Sequence, residues 1–433
     1  MQLLILIRMM IMLIDFDNAK IRKYGQRAEF GIERESLRVN NNGTLAGTPH
    51  PFPGDRQIDR DFCENQIEII TDVFTDADTL ISQLNDIHDK IDEKLLQMNE
   101  LLWCFSNPPV IGREEDIPVA VFGEELQCKN EYRAYLAEKY GKKKMLFSGI
   151  HFNFSFSPQF IDAAFAISGE NDRRAFSDKL YLSLSEKLVR YSWLVVFLTA
   201  ASPVMHSSFG IESNRFSSVR CSKYGYWNDF VPVLDYSSLD AYVSSIEKLV
   251  SAGRLRSVTE LYYPVRVKPR GDNSLEALRQ KGINHIELRV TDVNPLSRTG
   301  IFKEDIEFFH LLMLYLLSLP EQVSDKASQL EAIENVKQAA VFGNEHIHQK
   351  AMTVLSDIAE FAEKFFPEFM RTVKFQQSKL LPGRSYAELV SKYFSGDYIG
   401  RGLSLARAYR RREKQCVNCS VFLPQRNIIQ TNI

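Results

Sequence analysis

Phe30-Gly31-Ile32-Glu33-Arg34-Glu35-Ser36-Leu37-Arg38-Val39 is the stretch that decides the fold. Glu33 and Glu35 stand two residues apart among apolar neighbours, in a run that ends in Leu37 and Val39. Alternate side chains of a strand point to opposite faces, so Glu33 and Glu35 share one face and Arg34 takes the other. Two adjacent carboxylates repel unless a positive charge lies between them, and a divalent cation is the usual answer.

Three more stretches repeat this design. In Asp61-Phe62-Cys63-Glu64-Asn65-Gln66-Ile67-Glu68-Ile69-Ile70, the alternation puts Glu64, Gln66 and Glu68 on one face and Ile67 and Ile69 on the other. In Ser148 to Phe156, His151, Asn153 and Ser155 oppose Phe152, Phe154 and Phe156. In Ile286 to Asp292, Glu287, Arg289 and Thr291 oppose Ile286, Leu288 and Val290. A lone Glu-x-Glu is ordinarily a solvated face, and a lone His in an apolar strand is ordinarily structural. Four strands of one design point instead to a shared surface. That surface is an acidic basin holding Glu33, Glu35, Glu64, Glu68, His151 and Glu287, with Arg289 as its one certain cation. Hard oxygen ligands with a single imidazole suit Mg2+ or Mn2+ better than zinc.

Helical spacing runs from Thr75 to Glu100, Lys129 to Tyr140, Ala175 to Leu198, Leu239 to Ala252 and Lys303 to Leu319. Two-piece helices are expected from Glu331 to Phe366 and from Ser385 to Ala408, the latter broken near Ser395-Gly396. Helices separate the strands irregularly, without a βαβ rhythm. The fold class is therefore α+β: a mainly antiparallel twisted sheet with one polar, metal-lined face, surrounded by helices. No Pro- or Gly-rich linker divides the chain, so residues 21–410 are read as one catalytic domain. Residues 1–20 form an apolar N-terminal extension or first helix, and 411–433 a tail.

The 433 residues, 45% hydrophobic and 25% charged, match a soluble globular protein with ample core. A net charge of −2, with no basic block before Arg410-Arg411-Arg412, argues against a nucleic-acid partner. The apolar run Met1–Ile14 is shorter than a membrane span and lacks the layout of a signal peptide, so no membrane association and a cytoplasmic location are expected. Of six cysteines, four are scattered as reduced thiols are, and Cys416-Val417-Asn418-Cys419 has no second pair to complete a zinc site. There is no P-loop, no dinucleotide fingerprint, no nucleophile elbow and no H-E-x-x-H.

The four strand motifs, together with Ala201-Ser202-Pro203 and Asp292-Val293-Asn294-Pro295, resemble the bacterial-type glutamate–cysteine ligases over residues of roughly 25 to 410. Arg113-Glu114-Glu115-Asp116-Ile117-Pro118 is similar to the version at the front of two-domain glutathione synthases. Since no ATP-grasp domain follows here, the first step of glutathione synthesis alone is expected. The resemblance implies a glutamine synthetase-like catalytic architecture, ATP as co-substrate, and two or three Mg2+ (or Mn2+) held by Glu33, Glu35, Asp61, Glu68, His151 and Glu287. It implies Arg289 and Arg133 as catalytic clamps on the transferring phosphoryl group. Phe62, Tyr132, Leu136, Tyr226 and Tyr262 would wall the L-cysteine pocket, and Arg220 would hold a substrate carboxylate. L-glutamate is the other substrate, and the oligomeric state is a monomer or homodimer. The chain departs from the family at Met145, where relatives carry Gln, and at Phe152, where Tyr is frequent. From the residues alone, a ligase with another amine, a two-metal phosphohydrolase and a non-catalytic metal-binding protein stay open.

Overall fold

The computed structural model describes residues 13–322 and 324–412. Met1 to Met12 and the Cys416–Cys419 pair lie outside the described residues. Seven strands form one sheet: β1 (Ala28–Asn40), β2 (Ile58–Arg60), β3 (Gln66–Ile70), β4 (Glu100–Leu102), β5 (Gly149–Phe156), β6 (Val265–Lys268) and β7 (His285–Asp292). Their order is β2-β3-β1-β5-β7-β6, with β4 pairing the far end of β1, and every pairing is antiparallel.

Period-two alternation divides the sheet cleanly. Phe30, Ile32, Ile67, Ile69, Phe152, Phe154, Phe156, Ile286, Leu288, Val265 and Val267 all enter one large core. The helices Arg173–Thr199 and Lys303–Ser318 cover that face, with the Phe152 and Phe309 rings 5.2 Å apart. The opposite face is not simply wet. Leu37 and Val39 of β1 enter a second core with Phe62, Trp103, Leu136, Met145 and Tyr262, and helix Gln127–Tyr140 lies over it. The polar residues of the sheet are thus caught in a cleft between the strands and this second cover.

Several helices begin where side chains can accept the free N–H groups of the first turn. Asp76 accepts from Thr79 N at 2.7 Å, and Ser385 with Glu388 forms a capping box. Both expected breaks occur: Lys326–Ala339 is separate from Glu345–Phe365, and Tyr386–Phe394 from Tyr398–Arg410. The core also reaches further toward the N-terminus than residue 21. Ile14 and Phe16 are buried, and Phe16 packs edge-on against Phe361 at 5.3 Å. No helix among the described residues is long and apolar enough to cross a membrane.

Two details of face assignment differ from simple alternation. Glu64 precedes β3 in a turn, where it accepts from His50 N at 2.8 Å and pairs with Arg60 at 3.3 Å. It therefore does not join Glu68 in the basin. In β7 one extra residue stands opposite His151, between the pairs Ile150–Thr291 and Phe152–Leu288. Such a bulge moves the residues beyond it to the other face. Thr291 is thereby paired with the core residue Ile150, off the face of Glu287 and Arg289.

Candidate active site

A cleft of about 970 Å³, including its open mouth, lies over the polar face of the sheet. Glu33, Glu35, Asp61, Glu68, His151 and Glu287 all line it, as do Arg289, Arg133, Phe62, Tyr132, Leu136, Tyr226 and Tyr262. Strand register explains the convergence: Glu33 is paired with His151, Glu35 with Glu68, and Glu287 with Asn153. Directly paired residues share a face, so Glu33 and Glu287, 254 positions apart in the chain, are brought to one side of the sheet across the intervening strand β5.

At the centre, ligand atoms of Glu33, His151 and Glu287 lie within 4.8 Å of one another. His151 Nδ1 is 3.1 Å from Glu33 Oε2 and 3.8 Å from Glu287 Oε1, and its Nε2 is 3.8 Å from Glu35 Oε1. Asn153 Nδ2 donates to Glu33 Oε1 at 3.0 Å, orienting that carboxylate. Burial and the nearby Arg289 hold the His151 imidazole below its ordinary value, which keeps it neutral and able to ligate.

The carboxylates fall into two electrostatic classes. Glu287 is 1% exposed, yet its carboxyl is held well below the usual range. Burial acts to raise it, but Arg289, Lys268 and Arg266 outweigh that. Their nitrogens lie 3.0, 3.4 and 3.9 Å from its oxygens. Glu33 is also lowered: burial opposes the shift, and the His151 hydrogen bond together with the attraction of His151 and Lys268 outweighs it. Glu35 is the reverse case, pushed up to about 8 by burial and by Asp61, despite a 2.8 Å bond from Gly149 N. Glu68 is likewise raised, by burial and then by Asp61, Glu33 and Glu35. The Glu287 side of the cleft is therefore charge-compensated, whereas around Glu35 and Glu68 burial and neighbouring acids outweigh the cations.

Arg266 and Lys268 were not among the expected site residues. The alternation Val265-Arg266-Val267-Lys268 carries the signal, but it spans only four residues after Tyr263-Pro264. The cleft is consequently less acidic than expected, with three cations around Glu287. Arg133 lines the wall with its guanidinium partly committed. Its Nε donates to Asp61 O at 2.6 Å, and the group lies over the Phe122 ring at 4.5 Å. Besides Glu64, Arg220 is the expected residue that does not line this cleft. It lines an adjoining smaller recess that shares Tyr226, Tyr262 and Arg289. Its guanidinium donates to Arg289 O at 3.0 Å and Thr291 O at 3.3 Å, which fixes the bulged part of β7.

One wall of the cleft is aromatic. The Tyr226 and Tyr262 rings are 4.2 Å apart, and the Tyr132 and Tyr262 hydroxyls are buried without a hydrogen-bond partner in the protein. Buried hydroxyls are seldom left so, and a bound molecule would satisfy them. Met145 also lines the cleft, supplying a thioether where an amide would donate hydrogen bonds.

Comparison with known proteins agrees with this geometry. The glutamate–cysteine ligase family matches residues 13–339. A glutathione biosynthesis bifunctional protein of Listeria innocua is 34% identical over 430 residues, 91% of this chain and 56% of its own length. A glutamate–cysteine ligase of Clostridium acetobutylicum is 35% identical over 371 residues, 72% of this chain and 76% of its own. The crystal structure of a glutamate–cysteine ligase from Francisella tularensis shares the fold, with a TM-score of 0.81, 23% identity and 89% of each chain covered. The chain spans a little over half the length of the bifunctional relatives it matches.

Proposed function

Because this chain belongs to the glutamate–cysteine ligase family, we propose that it joins the γ-carboxylate of L-glutamate to the amine of L-cysteine, with cleavage of ATP to ADP and phosphate. The observation that carries this reading is the convergence of six ligand-type side chains and Arg289 in one cleft. A γ-carboxylate oxygen attacks the γ-phosphorus of ATP, and ADP leaves. The cysteine amine then attacks the acyl carbon of the resulting γ-glutamyl phosphate, phosphate leaves, and the nitrogen gives up a proton.

The donor set fits hard divalent cations. Two or three Mg2+ would be held by Glu33, His151 and Glu287 on one side and by Glu35, Asp61 and Glu68 on the other. Supporting this is the raised carboxyl of Glu35, at about 8, beside the raised carboxyl of Glu68. Such a pair calls for a positive charge that the protein does not itself supply. When bound, the ions would neutralise phosphate charge and polarise the transferring phosphoryl group.

The protein's own groups do the rest. Arg289, 14% exposed in its side chain and braced by Glu287, presents a fixed positive charge to a phosphoryl group in transit. Arg133 secures the Asp61 segment and adds a second positive charge at the wall. Phe62, Leu136 and the tyrosine rings exclude water from the acyl phosphate, and the unpartnered hydroxyls of Tyr132 and Tyr262 are placed to bind the acceptor's polar atoms. In this reading Arg220 acts through the recess beside Tyr226 and Arg289, toward a substrate carboxylate.

The test is ADP release with ATP, Mg2+, glutamate and a panel of amines that includes cysteine and 2-aminobutyrate. One ADP per peptide bond, released only with glutamate and cysteine present, is expected. ADP release with neither amino acid would identify a phosphohydrolase and overturn the reading. Preference for another amine would assign a different acceptor.

A further inference from the structure

Three separate segments supply the aromatic acceptor wall. Helix Gln127–Tyr140 brings Tyr132 and Leu136, the segment around Trp227 brings Tyr226, and the loop before β6 brings Tyr262. Nothing in the chain sequence joins these segments, and their relative placement defines the space in which a small amine must sit.

They meet at Glu260, which is fully buried. Its Oε1 accepts from Lys139 Nζ at 2.6 Å, Tyr140 OH at 2.7 Å and Tyr135 OH at 3.1 Å, all on the helix. Its Oε2 accepts from Arg256 N at 2.6 Å, which closes the loop on itself. The third segment is tied in by Asn228, also buried. Asn228 Nδ2 donates to Glu260 O at 2.9 Å and to Tyr140 OH at 3.0 Å, and its Oδ1 accepts from Tyr262 N at 3.0 Å. On the sheet side, Arg266 donates to Leu261 O at 2.8 Å and Thr259 O at 2.8 Å while facing Glu287. The loop that carries Tyr262 is thus held on the helix side by Glu260 and on the sheet side by Arg266. Glu260 and Asn228 are absent from the residues lining the main cleft.

We infer that Glu260, with Asn228, is a positioning residue for the acceptor subsite, setting where Tyr132, Tyr226 and Tyr262 meet the incoming amine. The inference rests on the ligase reading and goes beyond it in separating acceptor placement from the phosphoryl chemistry. A charged acceptor with four donors is strong and directional, and the groups it fixes lie on the acceptor wall. The carboxylates and imidazole that face ATP sit on strands whose register does not depend on it.

The experiment compares wild type, Glu260→Ala, Glu260→Gln and Asn228→Ser by steady-state kinetics in each substrate, with thermal melts alongside. Glu260→Ala is expected to raise the KM for cysteine about tenfold or more, as a displaced pocket wall does. The KM values for ATP and glutamate should stay within about threefold, the small changes expected where contacts are untouched. The ratio of cysteine to 2-aminobutyrate turnover should fall. Glu260→Gln keeps an oxygen acceptor of the same reach and should restore most of the loss. If Glu260→Ala does not fold, Asn228→Ser decides by the same split in KM. Equal rises in all three KM values, or an unchanged cysteine KM in folded Glu260→Ala or Asn228→Ser, would overturn the inference and leave the ligase reading standing. Wild-type protein without cysteine-dependent ADP release would remove both.

Discussion

Glu35 and Glu68 stand directly opposite each other on β1 and β3, both facing the cleft, and both carboxyls are pushed above the ordinary range by burial and by Asp61. A like-charged cross-strand pair destabilises a sheet by roughly 0.2–1 kcal/mol. At alkaline pH, where both carboxyls ionise, Glu68→Gln should therefore raise the melting temperature of the metal-free protein by up to about 1 °C. The same variant should lose the stabilisation that millimolar Mg2+ gives the wild type. A calorimetric melt with and without Mg2+ checks both, and a variant less stable than wild type without metal would refute the repulsion.

The pH dependence follows from the sign of the Glu35 shift. Its carboxyl titrates near 8 when folded and near the ordinary carboxylate value when unfolded, so the folded state binds more protons between these limits. The stabilisation is complete below the unfolded value and is lost as pH rises through about 8. Metal-free wild type should thus lose stability relative to Glu35→Gln as pH rises from about 5 to 9. Denaturant titrations across that range measure the difference between the two proteins. A constant gap would show that Glu35 titrates normally.

Arg289 lies 3.0 Å from Glu287, and Lys268 and Arg266 also face that carboxylate. Arg289→Lys keeps the charge but loses the planar fork. We expect kcat to fall by about 10²-fold with little change in melting temperature, since Glu287 stays compensated. Rapid-quench and steady-state assays would check this, and a kcat within threefold of wild type would exclude Arg289 from the phosphoryl step.

A Cβ added to Gly149 would fall within the Arg220 guanidinium. Gly149→Ala must displace Arg220 from the carbonyls of Arg289 and Thr291, and it disturbs the backbone N–H that Glu35 accepts. A loss of about 1–3 kcal/mol in stability is expected, together with weaker glutamate-dependent turnover. Chemical denaturation and glutamate titration read the two effects separately, and wild-type values for both would show that the site tolerates the shift.

Away from the cleft, Arg38 and Glu100 form a 2.6 Å ion pair with side chains 0% and 1% exposed. Glu100→Ala should cost about 3–5 kcal/mol by stranding the guanidinium, whereas Arg38→Met combined with Glu100→Leu should cost much less. Urea midpoints of the two variants provide the comparison.

Much of the fold was legible because strand alternation is local. Glu33, Glu35, Glu68, His151 and Glu287 were assigned to one face from their spacing alone, and that face is where the structure places them. The helix from Thr75 and the two broken helices were legible for the same reason, through apolar spacing at the helical period. β6 was not, because four residues give too little pattern, and with it Arg266 and Lys268 were lost. Glu64 was misplaced because a turn between Asp61 and Gln66 interrupts the alternation.

By itself the amino-acid sequence determined which side chains share a face, because a strand's two-residue period depends only on neighbouring backbone. It also determined the chemistry that those faces carry. Only the tertiary structure decided which strands lie side by side, that a bulge in β7 turns Thr291 inward, and that Arg220 braces backbone carbonyls. It also decided which carboxylates receive a cation, Glu287 having three nearby while Glu68 is raised by its acidic neighbours. Those outcomes depend on burial and on charges brought from distant parts of the chain, and Coulomb interactions in a low-dielectric cleft follow distance in space, not position along the sequence.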